Sequence, residues 1–337
     1  MIAETAVGQL PQDLILLSNI LKICDLETVV LGAPNRRAQI DSETCGDAIF
    51  CNIETNFPFR GRFAVPADWC VIGCVHETQK AVACNGIPMT SGMAFTVLPL
   101  GVSECVFGSG SRVTLMLIPL VRLQRAFAEM VHVDLEMPGR LLLLFNITGT
   151  PVGLTLRTQF EKISQYLTHQ NRPHGAEAAM RNEVDLLLQN HLLAGLSAPA
   201  GDRPQSTRGR RSHYAIVQLA EQYMRENIRR VIYLNEMCGA AGASERALRY
   251  AFEDLFGVSP NRYLSMLRLC TAFRALASAD SSRRSVKSVA LSCGLWDLSR
   301  FADHYRTMFG ELPRDTLMRN HPVDTATASK IGETVGG

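Results

Sequence analysis

The sequence predicts an α+β chain in two parts: a β-rich N-terminal sandwich with trailing helices, and an all-α C-terminal domain built around two helix-turn-helix units. Three observations carry this prediction. Short β-type runs separated by Gly, Pro and polar turns fill residues 27 to 120. The periodicity turns helical after Val121. A spaced pattern of apolar residues closed by a glycine occurs near residue 234 and again near residue 286. With 337 residues, 47% hydrophobic and 20% charged, the chain is long enough for two ordinary domains and too apolar to be disordered as a whole.

The opening MIAETAVGQLPQDL has neither the basic start nor the continuous apolar core of a signal peptide. The longest apolar stretches, such as Val113 to Val121, are too short to cross a bilayer. The expectation is a cytoplasmic protein with no membrane partner. The β-type runs are AIFCNIE (48–54), WCVIGCVHE (69–77), AFTVLPL (94–100), SECVFGS (103–109) and VTLMLIPL (113–120), and a sandwich or small barrel is the natural way to bury them. Helical spacing follows in VRLQRAFAEMV, around Leu154 to Leu167, and around Ala178 to Leu193; these helices either cover the sandwich or pair with a second subunit.

Residues 197–211, SAPAGDRPQSTRGRR, are rich in Pro, Gly, Ser and Arg and read as a flexible basic linker. The predicted organisation is therefore a sensing or dimerisation domain over 1–196, a linker over 197–211, a helical domain over 212–320 and a disordered tail over 321–337. The ten cysteines mostly sit in apolar runs and form no CxxC pair, as expected for core filling. Cys70, Cys74 and His76 share one face if 69–77 is a strand, yet they supply only three ligands, and a metal site is not expected. P-loop, Gly-x-Ser-x-Gly and Rossmann fingerprints are missing, so neither enzymatic activity nor a cofactor is expected.

The repeat is the most informative feature. Leu234, Met237, Cys238 and Ala241 fall at i, i+3, i+4 and i+7 before Gly242, and Val286, Val289, Ala290 and Cys293 repeat that spacing before Gly294. A second short helix follows each glycine, with core positions Leu248, Phe252 and Phe256 in one copy and Phe301, Tyr305 and Phe309 in the other, 53 residues on. Each copy closes alike, on FGVSP (256–260) and FGELP (309–313). Two short helices meeting at a glycine turn form a helix-turn-helix, whose second helix is the one presented to the DNA major groove.

In the first copy Ser244 suits the N-cap, and Glu245, Arg246, Arg249 and Tyr250 face outward. In the second copy Trp296, Asp297, Leu298, Ser299, Arg300, Asp303 and His304 lie on or near the outward face. Ser259 and Pro260 start the connecting helix, in which roughly 17 residues span about 25 Å. Such a helix suits two recognition helices about 34 Å apart, one DNA turn. Residues 205–320 hold 18 Lys/Arg against 11 Asp/Glu, a charge of +7, which leaves −5 on the remainder of a chain whose total is +2. A basic end attracts phosphate without sequence choice.

Here the sequence resembles the AraC/XylS transcription regulators, over roughly residues 212–318, through SERALRYAFEDLFGVSPNRYLSMLRL (244–269) and VALSCGLWDLSRFADHYRTMFGELPRDTL (289–317). The wording of the second run is most similar to the branch that includes ethanolamine-operon regulators. The resemblance implies base contacts from Arg246, Arg249 and Tyr250 in the first unit and from Ser299, Arg300 and Asp303 in the second. It implies double-stranded DNA and RNA polymerase as partners, a role as activator, and control by a small-molecule effector or by homodimerisation. Asp303 stands where some members have arginine, Leu295 where Phe is typical and Phe273 where Arg is usual. Residues 84–107 look like the family's cupin-like sandwich, without the His-x-His and following Glu of cupin metal sites.

Each arginine has a blander reading as a solvated helix residue, and Trp296 reads as a partly buried packing residue rather than a base contact. The basic run Arg208 to Arg211 reads as a solvated tether. The rival function is a protein-interaction module whose repeats bind a partner instead of DNA, a reading that Asp303 and the moderate charge keep in play.

Overall fold

Strands with both faces covered form the centre of the N-terminal region. The computed structural model describes residues 24, 26–32, 37–79, 82–131, 142–168, 176–198, 206–280 and 283–319; the expected tail and residues 199–205 of the expected linker lie outside these. Eleven described strands form two antiparallel sheets. They are β1 Glu27–Val30, β2 Ala38–Cys45, β3 Ala48–Thr55, β4 Phe59–Ala64, β5 Trp69–Glu77, β6 Val82–Cys84, β7 Ile87–Met89, β8 Met93–Val97, β9 Val102–Phe107, β10 Ser111–Pro119 and β11 Leu142–Asn146. One sheet has the order β1-β4-β9-β6-β7, the other β11-β8-β5-β10-β3-β2. This is the expected cupin-like sandwich.

Ten described helices follow or interleave: α1 Leu120–Val131, α2 Pro151–Thr168, α3 Ala176–Ser197, α4 Arg208–Glu226, α5 Leu234–Ala241, α6 Glu245–Phe256, α7 Pro260–Ala277, α8 Val286–Ser292, α9 Leu298–Phe309 and α10 Pro313–Arg319. Contacts divide the chain into Met1–Leu267 and Arg268–Gly337, a division that falls inside α7 and outside the 197–211 segment. The first helix-turn-helix therefore belongs to the same unit as the sandwich. Arg208 to Arg211, read from composition as tether, form the first turn of α4, capped by Thr207, whose hydroxyl accepts from Arg210 N.

β5 is almost wholly buried because each face meets a different layer. Cys70, Ile72 and Cys74 join Phe50, Met116, Phe160 and Ile163 in a core closed by α2 and α3. Among the described residues no group of three or more His, Cys, Asp or Glu is placed to hold a metal ion. Burial pushes the Cys70 thiol up to about 12, so it behaves as an apolar side chain. His76, on the same face, is engaged by Thr114 Oγ1 at 2.8 Å and Glu161 at 3.1 Å.

Between the sheets, Phe59, Phe63, Phe95, Phe107, Leu115 and Leu117 help line an entirely apolar pocket. Strand alternation then sends intervening residues the opposite way. On β4, Phe59 and Gly61 face the pocket and Arg60 leaves it; on β9, Cys105 and Phe107 face the pocket and Glu104 leaves it. Both charged residues meet α4. Arg60 is 1% exposed, pairs with Glu104 at 2.7 Å and with Glu221, accepts a position over the Phe256 ring at 5.4 Å, and donates to Tyr263 Oη at 2.8 Å. Glu104 also receives Gln218 Nε2 at 3.0 Å and Tyr214 Oη at 3.3 Å. Burial alone raises a carboxyl pKa, but Arg60 and these donors outweigh it and hold Glu104 below the usual carboxylate range. Arg225 adds a pair to Glu221 at 2.7 Å and one to Glu27 on β1.

The burial of His191 on α3 predicts that the fold is acid-sensitive. It is buried, its Nε2 lies 2.7 Å from Thr96 Oγ1, and its Nδ1 has no hydrogen-bond partner among the described residues. Burial lowers its pKa from 6.5 to about 3. The unfolded chain then binds the proton more readily than the native one, so the stabilisation is complete above pH 6.5 and is lost as pH falls toward 3. The unfolding free energy from urea titration is expected to fall below pH 6.5 by up to about 1.4 kcal/mol per pH unit from this residue. His76, also lowered chiefly by burial, acts in the same direction. His191→Gln is expected to flatten the pH 5 to 6.5 part of the curve; an unchanged slope would assign the acid sensitivity elsewhere.

Candidate nucleic-acid interface

The first helix-turn-helix is built by α5 and α6. Met237 and Ala241 of α5 are buried, while Leu234 and Cys238 are half-buried. Glu236 caps the start of α5 by accepting from Tyr233 N at 2.7 Å, and it also receives Arg230 at 2.8 Å and Tyr223 Oη at 3.1 Å. Gly242 ends α5 at φ 59, a left-handed corner that a side chain resists. Ser244 then caps α6, its Oγ accepting from Ala247 N at 3.2 Å.

Within α6, Leu248, Ala251, Phe252, Leu255 and Phe256 are buried. Their 3.6-residue spacing leaves Glu245, Arg246, Arg249 and Tyr250 exposed, Tyr250 by 60%. Arg246, Arg249 and Tyr250 fall at i, i+3 and i+4 and so share one face. Arg249 is held by Glu245 through Nη2 at 2.7 Å and Nε at 3.0 Å. An exposed i, i+4 pair of this kind contributes about 0.3–0.5 kcal/mol, which a stronger anionic partner overcomes.

The second unit repeats the design with α8 and α9. Ser285 and Ser288 cap α8 reciprocally, each N–H donating to the other's Oγ at 3.1 Å. Asp297 caps α9, its Oδ1 accepting from Arg300 N at 3.0 Å. Phe301, Tyr305, Met308 and Phe309 are buried, and Phe273 stacks on Phe309 at 4.7 Å. Ser299, Arg300, Asp303 and His304 are exposed, with Leu298 at 36%. Trp296, expected to be partly buried packing, is 57% exposed just before the helix.

The cap function of Asp297 escaped the sequence reading, although its signal was present. The 53-residue offset that relates Leu248 to Phe301 also relates Ser244 to Asp297. It further sets Arg246 against Ser299, Arg249 against Ala302 and Tyr250 against Asp303, so the second face is the less basic. Ser244→Ala and Asp297→Ala are each expected to cost about 1 kcal/mol through loss of the cap. Thermal unfolding checks this, and Asp297→Asn, which keeps an acceptor, is expected to lose much less than Asp297→Ala.

Residues 237–319 match the family described as a Helix-turn-helix domain. The "XylDLEGF operon transcriptional activator 2" of Pseudomonas putida is 38% identical over 96 residues, which cover 28% of this chain and 61% of that one. Over this segment the chain carries an AraC-type helix-turn-helix domain similar to those of XylS-type activators. A second relative, the "HTH-type transcriptional activator RhaR" of Klebsiella pneumoniae, is 26% identical over 195 residues, covering 57% of this chain and 66% of its own. The crystal structure of a probable AraC family transcriptional regulator from Rhodopseudomonas palustris CGA009 is 35% identical, covering 32% of this chain and 98% of that one, with a TM-score of 0.29. The chain thus spans less than two thirds of the length of these curated relatives, and only 30% of the related "XylDLEGF operon transcriptional activator 1". No described helix is long and apolar enough to cross a membrane.

Proposed function

We propose that this chain is a sequence-specific transcription regulator of the AraC/XylS type that reads double-stranded DNA with α6 and α9 in successive major-groove segments. The observation that carries the reading is the twice-built second helix: buried on its aromatic side, capped at its start, and exposing Arg246, Arg249 and Tyr250 in one copy and Ser299, Arg300 and His304 in the other. Arginine neutralises phosphate and forks onto guanine, and tyrosine and serine hydroxyls donate to phosphate or base edges. Ser244, Glu245, Asp297 and Leu298 sit at the helix starts, where backbone N–H groups favour phosphate approach. Asp303 accepts from a cytosine amine or weakens the second contact. The activators among its relatives support a role in activation, and RNA polymerase is the partner this reading assigns.

The sandwich acts as the control module. Its entirely apolar pocket suits a small apolar effector. Leu186, Leu193 and Leu196 are exposed along the side of α3 opposite the buried Val184, Leu188 and His191, a stripe that suits a second copy of the chain. Footprinting of fragments selected by the full-length protein, at two salt concentrations, tests the DNA reading. Two protected major-groove segments about one turn apart support it. Protection of a single segment removes α9 from base reading, and no enrichment favours a protein-interaction module.

A further inference from the structure

The short hairpin β6–β7 closes through Asn85 and Gly86, both at positive φ (49 and 73), and sets β6 against β9 in fixed register, Cys84 opposite Cys105. In an antiparallel ladder, directly opposed residues alternate between hydrogen-bonded and non-hydrogen-bonded pairs. Asn85 N donates to Glu104 O at 2.8 Å, so Asn85 and Glu104 are the bonded pair and Cys84 and Cys105 the unbonded one. Unbonded pairs bring Cα atoms to about 4.5 Å, inside the range that a disulfide spans. The two Sγ atoms lie 3.1 Å apart, and both cysteines are buried and free. Closing that gap to a bond of about 2.05 Å requires roughly an ångström of movement.

We propose that Cys84 and Cys105 form a reversible dithiol–disulfide site, oxidised by a small peroxide. One thiol gives up its proton and the resulting thiolate attacks hydrogen peroxide, forming an S–O bond as the O–O bond breaks, and the expelled hydroxide takes that proton and leaves as water. The second sulfur then attacks this sulfenic acid, the S–S bond forms, the S–O bond breaks, and the departing hydroxide takes the remaining proton as a second water. Two thiols and one peroxide give one disulfide and two waters. Cys105 lines the apolar pocket, which offers a water-sized oxidant a route to its sulfur. Contact with Cys105 and burial push the Cys84 thiol up, so Cys84 rests as the thiol and its oxidation is slow relative to an exposed, activated cysteine. The disulfide pins the three-residue β6 to β9, the strand whose Glu104 holds Arg60, Tyr214 and Gln218.

The sequence supplies a simple test, because Lys80 and Arg112 bracket both cysteines and residues 81–111 contain no Lys or Arg. Folded full-length protein is treated with hydrogen peroxide, quenched, alkylated in denaturant, digested with trypsin and weighed. The expected product is peptide 81–112 lighter by two hydrogens and unalkylated at both cysteines, restored to the doubly alkylated form by dithiothreitol. The oxidised protein is expected to unfold a few degrees higher than the reduced one. Cys84→Ser is expected to leave Cys105 alkylated, with no gain in thermal stability on oxidation. Recovery of both thiols alkylated, oxygen addition at either sulfur without loss of two hydrogens, or a cross-link from Cys105 to another peptide overturns the proposal.

Discussion

Replacing Arg60 by methionine is expected to destabilise the unit that contains it by about 3–5 kcal/mol, because the substitution leaves Glu104 and Glu221 buried without their shared counter-charge. The loss exceeds that of an ordinary surface pair for a structural reason. Arg60 is 1% exposed and is surrounded by two carboxylates, the Tyr263 hydroxyl and the Phe256 ring, so no solvent is at hand to rescue the carboxylates. Burial alone would lower the Arg60 pKa, and the surrounding Tyr263, Glu221 and Glu104 hold it above its ordinary value instead. Deleting the charge therefore removes the group around which the others are arranged. Hydrogen exchange is expected to show where the loss falls, with the amides of α4 gaining exchange more than those of β10. The triple variant Arg60→Met, Glu104→Gln, Glu221→Gln is expected to recover part of the stability, since it removes the buried charge altogether. If Arg60→Met alone unfolds at the wild-type urea midpoint, the cluster contributes nothing and the attachment of α4 rests on apolar contacts such as Tyr214 against Gly86.

That cluster also explains the main difference between sequence and structure. β4, FRGRFA, has two arginines flanking a glycine and gave no strand signal, because an alternation rule assumes that charged residues face water. Arg60 alternates correctly but faces α4. β11, LLLFN, is a continuous apolar run whose period distinguishes neither helix nor strand, and its partner β8 lies far away in sequence. β5 and β10 were legible because long β-branched runs bounded by turns have few alternatives, and WCVIGCVHE matches β5 residue for residue. The run Arg208 to Arg211 has the composition of a tether, yet Thr207 supplies a cap and the helix starts there. Composition describes solvation, and the cap decides conformation.

The second helices of the two helix-turn-helix units were more legible than the sandwich because their evidence is local. Leu248 and Phe252 fix which side of α6 is buried, and the outward positions then follow from helical geometry without any long-range contact. Trp296 shows the limit of that reasoning: a residue just outside a helix has no periodic constraint, and composition statistics favoured burial where the structure exposes it.

Arg246→Ala is expected to weaken binding to a specific site by about 1–3 kcal/mol, roughly 5- to 150-fold, while changing affinity for random DNA much less. Arg246 is exposed one residue into α6, beside the capped helix start, and forms no ion pair among the described residues, in contrast to Arg249 with Glu245. On the proposed reading, its guanidinium would reach a guanine edge with both prongs without first breaking a local bond. Arg249→Ala removes a charge that was already shared with Glu245, so its specific loss is expected to be smaller, and Glu245→Gln is expected to enlarge the contribution of Arg249. The salt dependence separates base reading from phosphate attraction: a base-reading Arg246 leaves the slope of log affinity against log salt nearly unchanged, whereas a phosphate contact reduces it by about one. Titration of the wild type and each variant on selected and scrambled duplexes at two salt concentrations measures both quantities. Equal losses on the two duplexes, with a reduced slope, would make Arg246 a phosphate anchor and move sequence choice to other residues of the exposed face, Tyr250 first.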